Sequence, residues 1–180
     1  RVADAGSESE DEPAGATPET RTVLWLDHYS LKPTSESVRV SPVTEVPGSL
    51  DGLTVRSARG AVGSAPPWQG VEIAAGVPPG WRAVGVRVCW QLDAARSHIR
   101  QVRISQVQDP PESAVVQLDA DGWTTRGPAC ASTKRAFSPI DGSKGALLVS
   151  LYLDLKDPKD RVVIRGIGLV LEPAPVAPKP

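Results

Sequence analysis

A period of two dominates the sequence between residues 21 and 172. Runs in which apolar and polar residues alternate occupy residues 22–27, 37–41, 53–57, 70–74, 83–93, 98–108, 113–119, 146–155 and 161–171. Such alternation is typical of strands that bury one face, and the chain shows no convincing 3.6-residue period of an amphipathic helix. Clusters of Pro, Gly and Asp separate the runs. The pattern predicts an all-β protein, a single antiparallel β-sandwich that is jelly-roll-like, with about nine or ten strands.

The alternation also predicts which side chains form the core. In the run at 83–93, the even-numbered positions Val84, Val86, Val88, Trp90 and Leu92 share one face, and Arg87, Cys89 and Gln91 share the other. Trp25 alternates in the same way with leucines and is expected in the core. The run at 161–171 is apolar on both faces, which is typical of a strand that a loop or another subunit also covers.

The two ends of the chain differ from this middle region. Residues 1–20 carry six acidic side chains and few apolar ones, so we expect an acidic disordered arm. Residues 173–180 are Pro-rich and are expected to form an extended tail. The predicted organisation is therefore an arm, a β-sandwich domain at 21–172, and a tail.

Composition excludes some classes of partner. The 20 basic and 21 acidic residues give a net charge of −1, which does not favour nucleic-acid binding. No apolar run approaches the roughly 18 residues that a membrane-spanning helix needs. Arg outnumbers Lys and Asn is absent, a bias typical of GC-rich bacterial genomes. The stretch at 70–92, "GVEIAAGVPPGWRAVGVRVCWQL", resembles extracellular bacterial β-sandwich modules, so an extracellular or cell-surface location is the expectation.

Residues for catalysis or metal binding are few. The only histidines are His28 and His98, and no nucleophile motif accompanies them. The two cysteines and two histidines lack the short spacings of zinc sites, and no nucleotide-binding loop is present. We therefore expect no enzyme activity, no metal and no cofactor.

The two cysteines leave two alternatives open. Cys89 falls on the outer face of its predicted strand, and Cys130 lies in a loop-like segment. A disulfide between them suits an extracellular chain and would stabilise the fold by roughly 4 kcal/mol on the loop-entropy model. The alternative is a pair of free, shielded thiols.

Candidate ligand-binding residues come from the turns and from one sheet face. Trp68 and Trp123 lie in or beside turns, where they either stack on sugar rings or cover the ends of the sandwich. If 83–93 pairs with 98–108, Arg87, Gln91 and Arg103 form one polar patch that suits acidic sugars or the carboxylates of a partner. A solvated sheet face is the simpler interpretation.

These features give three functional hypotheses. The first is a non-enzymatic structural or protein-interaction module that self-associates or is tethered to a larger assembly, based on the doubly apolar strand and the two arms. The second is a carbohydrate-binding module that uses the turn tryptophans and the arginine-rich face. The third, a hydrolase with a dispersed triad around His28, has the least support in the sequence.

Overall fold

The computed structural model describes residues 21–43, 52–58, 69–107, 114–119, 122–133 and 137–175. Trp68, the acidic arm and the last five residues lie outside these ranges. The described residues form two antiparallel sheets, which confirms the predicted jelly-roll-like β-sandwich. The strands are β1 (Thr22–Leu26), β2 (Lys32–Pro33), β3 (Val38–Pro42), β4 (Leu53–Ser57), β5 (Gln69–Ala75), β6 (Trp81–Leu92), β7 (His98–Val107), β8 (Ala114–Asp119), β9 (Ala129–Ser132), β10 (Ile140–Asp141), β11 (Leu147–Asp154) and β12 (Arg161–Pro173).

The strand count exceeds the expected nine or ten because some pieces are too short to show alternation. β2 and β10 have two residues each, and β9 has four. Two short 3-10 turns, His28–Ser30 and Gly142–Lys144, complete the regular structure. Within the described ranges, no helix is long and apolar enough to cross a membrane.

One sheet has seven strands and is built around β12. β12 pairs with β6 along one edge. Along its other edge it pairs first with β4 and then with β1. β3 extends the sheet beyond β4, and β9 and β10 extend it beyond β6. β12 is therefore covered on both edges, which explains why it is among the most apolar strands.

The other sheet has five strands in the order β2, β5, β11, β7, β8. β6 and β7 follow each other in sequence but lie in opposite sheets, so the pairing of 83–93 with 98–108 that the full polar patch would require does not form. Residues 93–97 carry the chain from one sheet to the other, which a tight hairpin turn does not do. Ser97 is fully buried at this crossing.

Most of the predicted core is confirmed. Val86, Val88, Trp90 and Leu92 are at most 2% exposed. The alternate residues of β11, from Leu147 to Leu153, are buried in the same core. They pack between the two sheets, where burial of each large aliphatic side chain contributes about 1.5–3 kcal/mol.

Two β-bulges shift the alternation and correct two predictions. Val84 is an extra residue between the pairs Gly85–Val170 and Ala83–Leu171. It is buried outside the core cluster and lines a cleft on the outer face, while Ala83 takes the core position. Arg165 is a second extra residue, between Ile164 and Gly166.

The Arg165 bulge explains the doubly apolar pattern of 161–171. Val162 and Ile164 face the core before the bulge, and Ile167, Leu169 and Leu171 face it afterwards. The apolar residues therefore occupy even positions in one half and odd positions in the other, and most of them lie on the same face. The pattern does not require a covering subunit.

Two further expectations are wrong. Trp25 is 52% exposed, because the core-facing positions of β1 belong to Leu24 and Leu26. The sequence DADG at 119–122 predicts a hairpin between the runs at 113–119 and 122–126, and this hairpin does not form. Asp119 pairs with Val102 and Trp123 with Ile99, so the chain continues along the same edge of β7 rather than reversing.

An ionic cluster joins the crossing at 93–97 to the turn before β12. Arg96 donates two hydrogen bonds to the Asp160 carboxylate, at 3.0 and 2.7 Å. Ser97 Oγ donates a third to the same carboxylate at 2.6 Å. The Arg96 hydrogen bond lowers the pKa of Asp160, with the Ser97 bond acting in the same direction. The hydrogen bonds to this buried carboxylate hold the crossing and the turn together at one end of the sandwich.

Candidate functional site

A disulfide lies on the outer face of the seven-stranded sheet. Cys89 of β6 and Cys130 of β9 are directly paired in the sheet and are bonded to each other. The disulfide alternative is therefore confirmed over the two free thiols. The alternation had already placed Cys89 on the outer face, and the exposed Cys130 reaches it from the neighbouring strand. The bond ties β9 to the middle of this sheet.

The exposed side chain of Trp25 lies in the same region. A β-carbon added at Gly166 would lie 3.2 Å from Trp25 Cζ3 and 3.8 Å from Cys89 Cβ. The indole of β1 therefore extends over Gly166 of β12 towards the disulfide. Any larger side chain at 166 would occupy the space in which the indole rests. Trp25, Gly166 and the Cys89–Cys130 disulfide form a platform, which we call the indole platform.

Polar side chains surround the indole platform. Arg165 Nη2 donates a hydrogen bond of 2.6 Å to Gln91 Oε1. Arg87 Nη1 donates one of 3.2 Å to Ser132 Oγ. Both Arg87 and Gln91 are half-buried at their bases and lie on the outer face, because their neighbours Val86, Val88, Trp90 and Leu92 point into the core. The guanidinium of Arg87 supplies hydrogen-bond donors, and Gln91 supplies an amide, beside the apolar ring of Trp25.

Three more arginines lie on the same outer face of the seven-stranded sheet. Arg39 of β3 is paired with Arg56 of β4, and Arg56 is paired with Arg161 of β12. Directly paired residues point to the same side of a sheet, with Cβ atoms about 4.5–5.5 Å apart. The adjacent Val55 and Val162 face the core, so the three arginines face outwards. We call them the arginine row.

The arginine row carries more positive charge than its described acidic partners neutralise. Arg161 Nε donates to Asp93 Oδ2. Arg39 and Arg56 are exposed, and in the part of the chain that the structure describes their side chains have no hydrogen bond and no ion pair. Like charges that face each other directly across strands repel and destabilise the sheet. This repulsion makes the row a candidate for anion binding.

The structure brings together two of the three arginine and glutamine residues of the predicted patch, whose role in binding stays a prediction. Arg87 and Gln91 share the outer face of the seven-stranded sheet. Arg103 does not join them, because β7 belongs to the other sheet. There its guanidinium carbon lies 5.8 Å from the centre of the Tyr152 ring, a cation–π contact.

The predicted turn tryptophans do not provide an exposed aromatic ring within the described residues. Trp123 is 6% exposed, and its indole stacks on that of Trp90 with ring centroids 5.0 Å apart. Its prediction as a ligand-stacking residue is wrong, because its ring is part of the core. Trp68 lies outside the described residues and stays a prediction.

The outer face of the five-stranded sheet is a second polar surface. Lys32, Glu72, Ser150 and Arg103 form one row across its strands. Ser150 is 1% exposed, and Tyr152 in the next row is half-buried. Positive and negative groups alternate here, and its aromatic ring is less accessible than that of Trp25.

Residues suited to catalysis or metal binding are not brought together. The Asp27 carboxylate accepts hydrogen bonds from Tyr29 N and Ser30 Oγ rather than from His28. His28 Nε2 is buried without a hydrogen-bond partner among the described residues. The same residues contain no group of three or more His, Cys, Asp or Glu that could hold a metal ion.

Clefts lie on the outer face of the seven-stranded sheet, at the arginine row and at one end of the sandwich. One of about 340 Å³ lies beside the indole platform and is lined by residues including Val23, Val84, Gly85, Thr133 and Val170. A larger one, about 630 Å³, lies at one end of the sandwich around Trp81 and Lys144. In that cleft, hydrogen bonds from Ser143 lower the pKa of Asp141.

The fold is that of known carbohydrate-binding modules. No family model and no curated protein matches the sequence. Among solved structures, the CBM22-1–GH10 modules of endo-1,4-β-D-xylanase 10B from Clostridium thermocellum, complexed with xylohexaose, superpose with a TM-score of 0.53 at 10% identity. That match covers 86% of this chain and 28% of the xylanase chain. The present chain therefore corresponds to less than a third of that protein.

Two isolated binding modules are also similar to this chain. The CBM22-1 xylan-binding domain from Paenibacillus barcinonensis gives a TM-score of 0.49 at 14% identity, covering 81% of this chain and 88% of that domain. A CBM36 module in complex with calcium and xylotriose gives 0.42 at 12% identity, covering 83% and 98%. At 10% identity, the likeness to the xylanase modules concerns the β-sandwich architecture alone, and function must be argued from the surface.

Proposed function

We propose that this chain is a non-catalytic carbohydrate-binding module that holds a glycan on the outer face of the seven-stranded sheet. The observation that carries the proposal is the indole platform. Trp25 is a large aromatic side chain that lies over a glycine on a sheet face and stays 52% exposed. An exposed indole that rests over a glycine on a sheet face offers a flat apolar surface on which a sugar ring can stack.

The chemistry of the platform suits a sugar. One side of a pyranose ring is apolar and packs on an indole, while its hydroxyls need donors and acceptors around the edge. Gln91, Arg165 and Arg87 supply both kinds of group within the same face. These partners lie on the paired strands β6 and β12, and the disulfide fastens β9 to β6, so little ordering entropy is lost when a ligand binds.

The sandwich shared with xylan-binding modules supports this proposal as analogy only. The self-association hypothesis has less support. Its main argument was the doubly apolar strand, which the Arg165 bulge accounts for. In addition, a two-fold symmetric dimer through this face would bring the arginines of one copy close to those of the other.

Isothermal titration and affinity electrophoresis against a panel of soluble polysaccharides test the proposal. Trp25→Ala should abolish binding to whichever polysaccharide the wild-type chain binds. Tyr152→Ala is the matched control, because it removes an aromatic ring from the opposite sheet. It should leave binding unchanged, and the melting temperature of each variant reports its folding.

Two results would refute the proposal. If the wild-type chain binds no polysaccharide in the panel, the function is wrong. If Tyr152→Ala abolishes binding while folded Trp25→Ala binds normally, the glycan lies on the five-stranded sheet.

A further inference from the structure

We infer that the glycan this surface takes is polyanionic, with its carboxylate or sulfate groups held by the arginine row beside the indole platform. The inference rests on the proposed function, since it names the ligand class of the same face.

The first argument is the charge that one face carries. The arginines that point outwards from the seven-stranded sheet include Arg39, Arg56, Arg87, Arg161 and Arg165. The chain as a whole has a net charge of −1, so this concentration is local. A guanidinium binds a carboxylate or a sulfate through two parallel hydrogen bonds, which a neutral sugar does not offer.

The second argument is that two of these arginines lack a partner. Arg161 contacts Asp93, and Arg165 contacts Gln91. The side chains of Arg39 and Arg56 are exposed and make neither an ion pair nor a hydrogen bond with any described residue. They stand directly opposite each other, so each raises the energy of the other until an anion lies between them.

The third argument is the geometry of the surface. The row runs across three strands, about 10 Å wide, because neighbouring strands are about 4.8 Å apart. Along β12, Arg161 and the position opposite Arg87 are seven residues apart, which is roughly 20 Å. Cations at both ends with an aromatic ring between them match a linear polymer that carries repeated negative charges.

Nucleic acid shares the negative charge but is the weaker candidate. Proteins that bind it have a strong overall excess of basic residues, whereas this chain has a pI near 6.2. A chain with a net charge of −1 lacks the overall positive charge that attracts a long, densely charged duplex.

Matched polymer pairs test the inference on the full chain. Polygalacturonate is compared with its fully methyl-esterified form, and dextran sulfate with dextran. We expect binding to at least one anionic member and none to its neutral counterpart, with affinity falling as salt is added. The first pair reports on carboxylates and the second on sulfates.

The variant R39Q/R56Q should bind the anionic polymer at least about tenfold more weakly. Its melting temperature should be unchanged or higher, because the substitutions remove a repulsion. The matched control K32Q/R103Q removes the same charge from the opposite sheet and should bind within about twofold of wild type. A purely structural role for Arg39 and Arg56 would not weaken binding while preserving the melting temperature.

Other outcomes overturn the inference in distinguishable ways. If both members of a pair bind equally and only Trp25→Ala loses binding, the module binds neutral glycans and the inference fails alone. If no polymer binds, the proposed function fails with it. Equal binding of single-stranded DNA would mean a general polyanion surface. A dimer of the free protein that R39Q/R56Q dissociates would mean an interface between copies.

Discussion

The exposed and the buried tryptophans of this chain differ in their availability to a ligand and in their contribution to stability. Trp90 and Trp123 stack on each other inside the sandwich, and Trp90 Nε1 donates a hydrogen bond of 2.9 Å to Thr125 O. Trp25 lies on the outside, over Gly166. An exposed ring such as that of Trp25 is available to a ligand. A buried ring such as that of Trp90 or Trp123 contributes strongly to stability instead.

Alanine substitutions should show this difference. Trp123→Ala removes a buried ring and should lower the free energy of unfolding by about 3–5 kcal/mol. Trp25→Ala removes a half-exposed ring and should lower it by less than about 1 kcal/mol. Urea denaturation measures both. A loss for Trp25→Ala as large as that for Trp123→Ala would mean that Trp25 is a structural residue.

Gly166 provides a second test at the residue scale that keeps Trp25 in place. Gly166→Val places methyl groups where the indole rests and should displace it, while a β-branched residue suits a strand. We expect sugar binding to fall as far as in Trp25→Ala with the fold retained. Titration of the folded variant with normal affinity would show that the position of the indole over Gly166 is not needed.

At the scale of single elements, β12 depends on its bulge. Arg165 separates a half in which Val162 and Ile164 face the core from a half in which Ile167 and Leu169 do so. Without it, one half would turn its apolar side chains to solvent, because side chains alternate strictly along a regular strand.

Deletion of Arg165 should therefore prevent folding, whereas Arg165→Ala should not. Circular dichroism and solubility of the two variants measure the difference. A deletion variant that folds with the stability of Arg165→Ala would contradict the role of the bulge.

The pKa of Asp160, in the turn before β12, predicts how the free energy of unfolding depends on pH. Folding lowers the pKa of Asp160, chiefly through the hydrogen bond from Arg96. A lowered pKa in the folded state adds stability at pH values above the unfolded pKa, near 3.9, and that stability is lost as the pH falls through the lowered value. The contribution is therefore complete at neutral pH.

Asp160→Asn should lower the free energy of unfolding at pH 7 by about 1–3 kcal/mol. The difference from wild type should shrink below about pH 4. Denaturation curves at several pH values measure it. A difference of constant size down to pH 2 would contradict the assigned charge of Asp160.

For the whole molecule, the sequence predicts the architecture better than the surface. The alternation in β6 and β11 identifies their buried faces correctly, because both strands are long and regular over most of their length. It fails at Val84 and in β12, where one extra residue reverses the alternation. Gly166 and Gly168 are the local signal, since glycine inside a strand often marks a bulge or a close backbone approach, but they do not identify Arg165 as the extra residue.

The candidate site was only partly predictable for a related reason. Arg87, Gln91 and Cys89 were placed on an outer face because each lies within one long strand. The arginine row depends on pairing between β3, β4 and β12, which are far apart in sequence. Trp25 was assigned to the core because both faces of the short strand β1 carry apolar side chains. Only packing in the folded protein determines which of the two faces is buried.

The most direct test of the account is an NMR titration of the ¹⁵N-labelled chain with a polysaccharide that it binds. The account predicts that the largest shifts occur at the Trp25 indole N–H, at the amides of Gly166 and Cys89, and at those of Arg39 and Arg56. Tyr152 and Arg103 on the opposite sheet should change little. Shifts centred on Tyr152 and Arg103, with Trp25 unaffected, would contradict it.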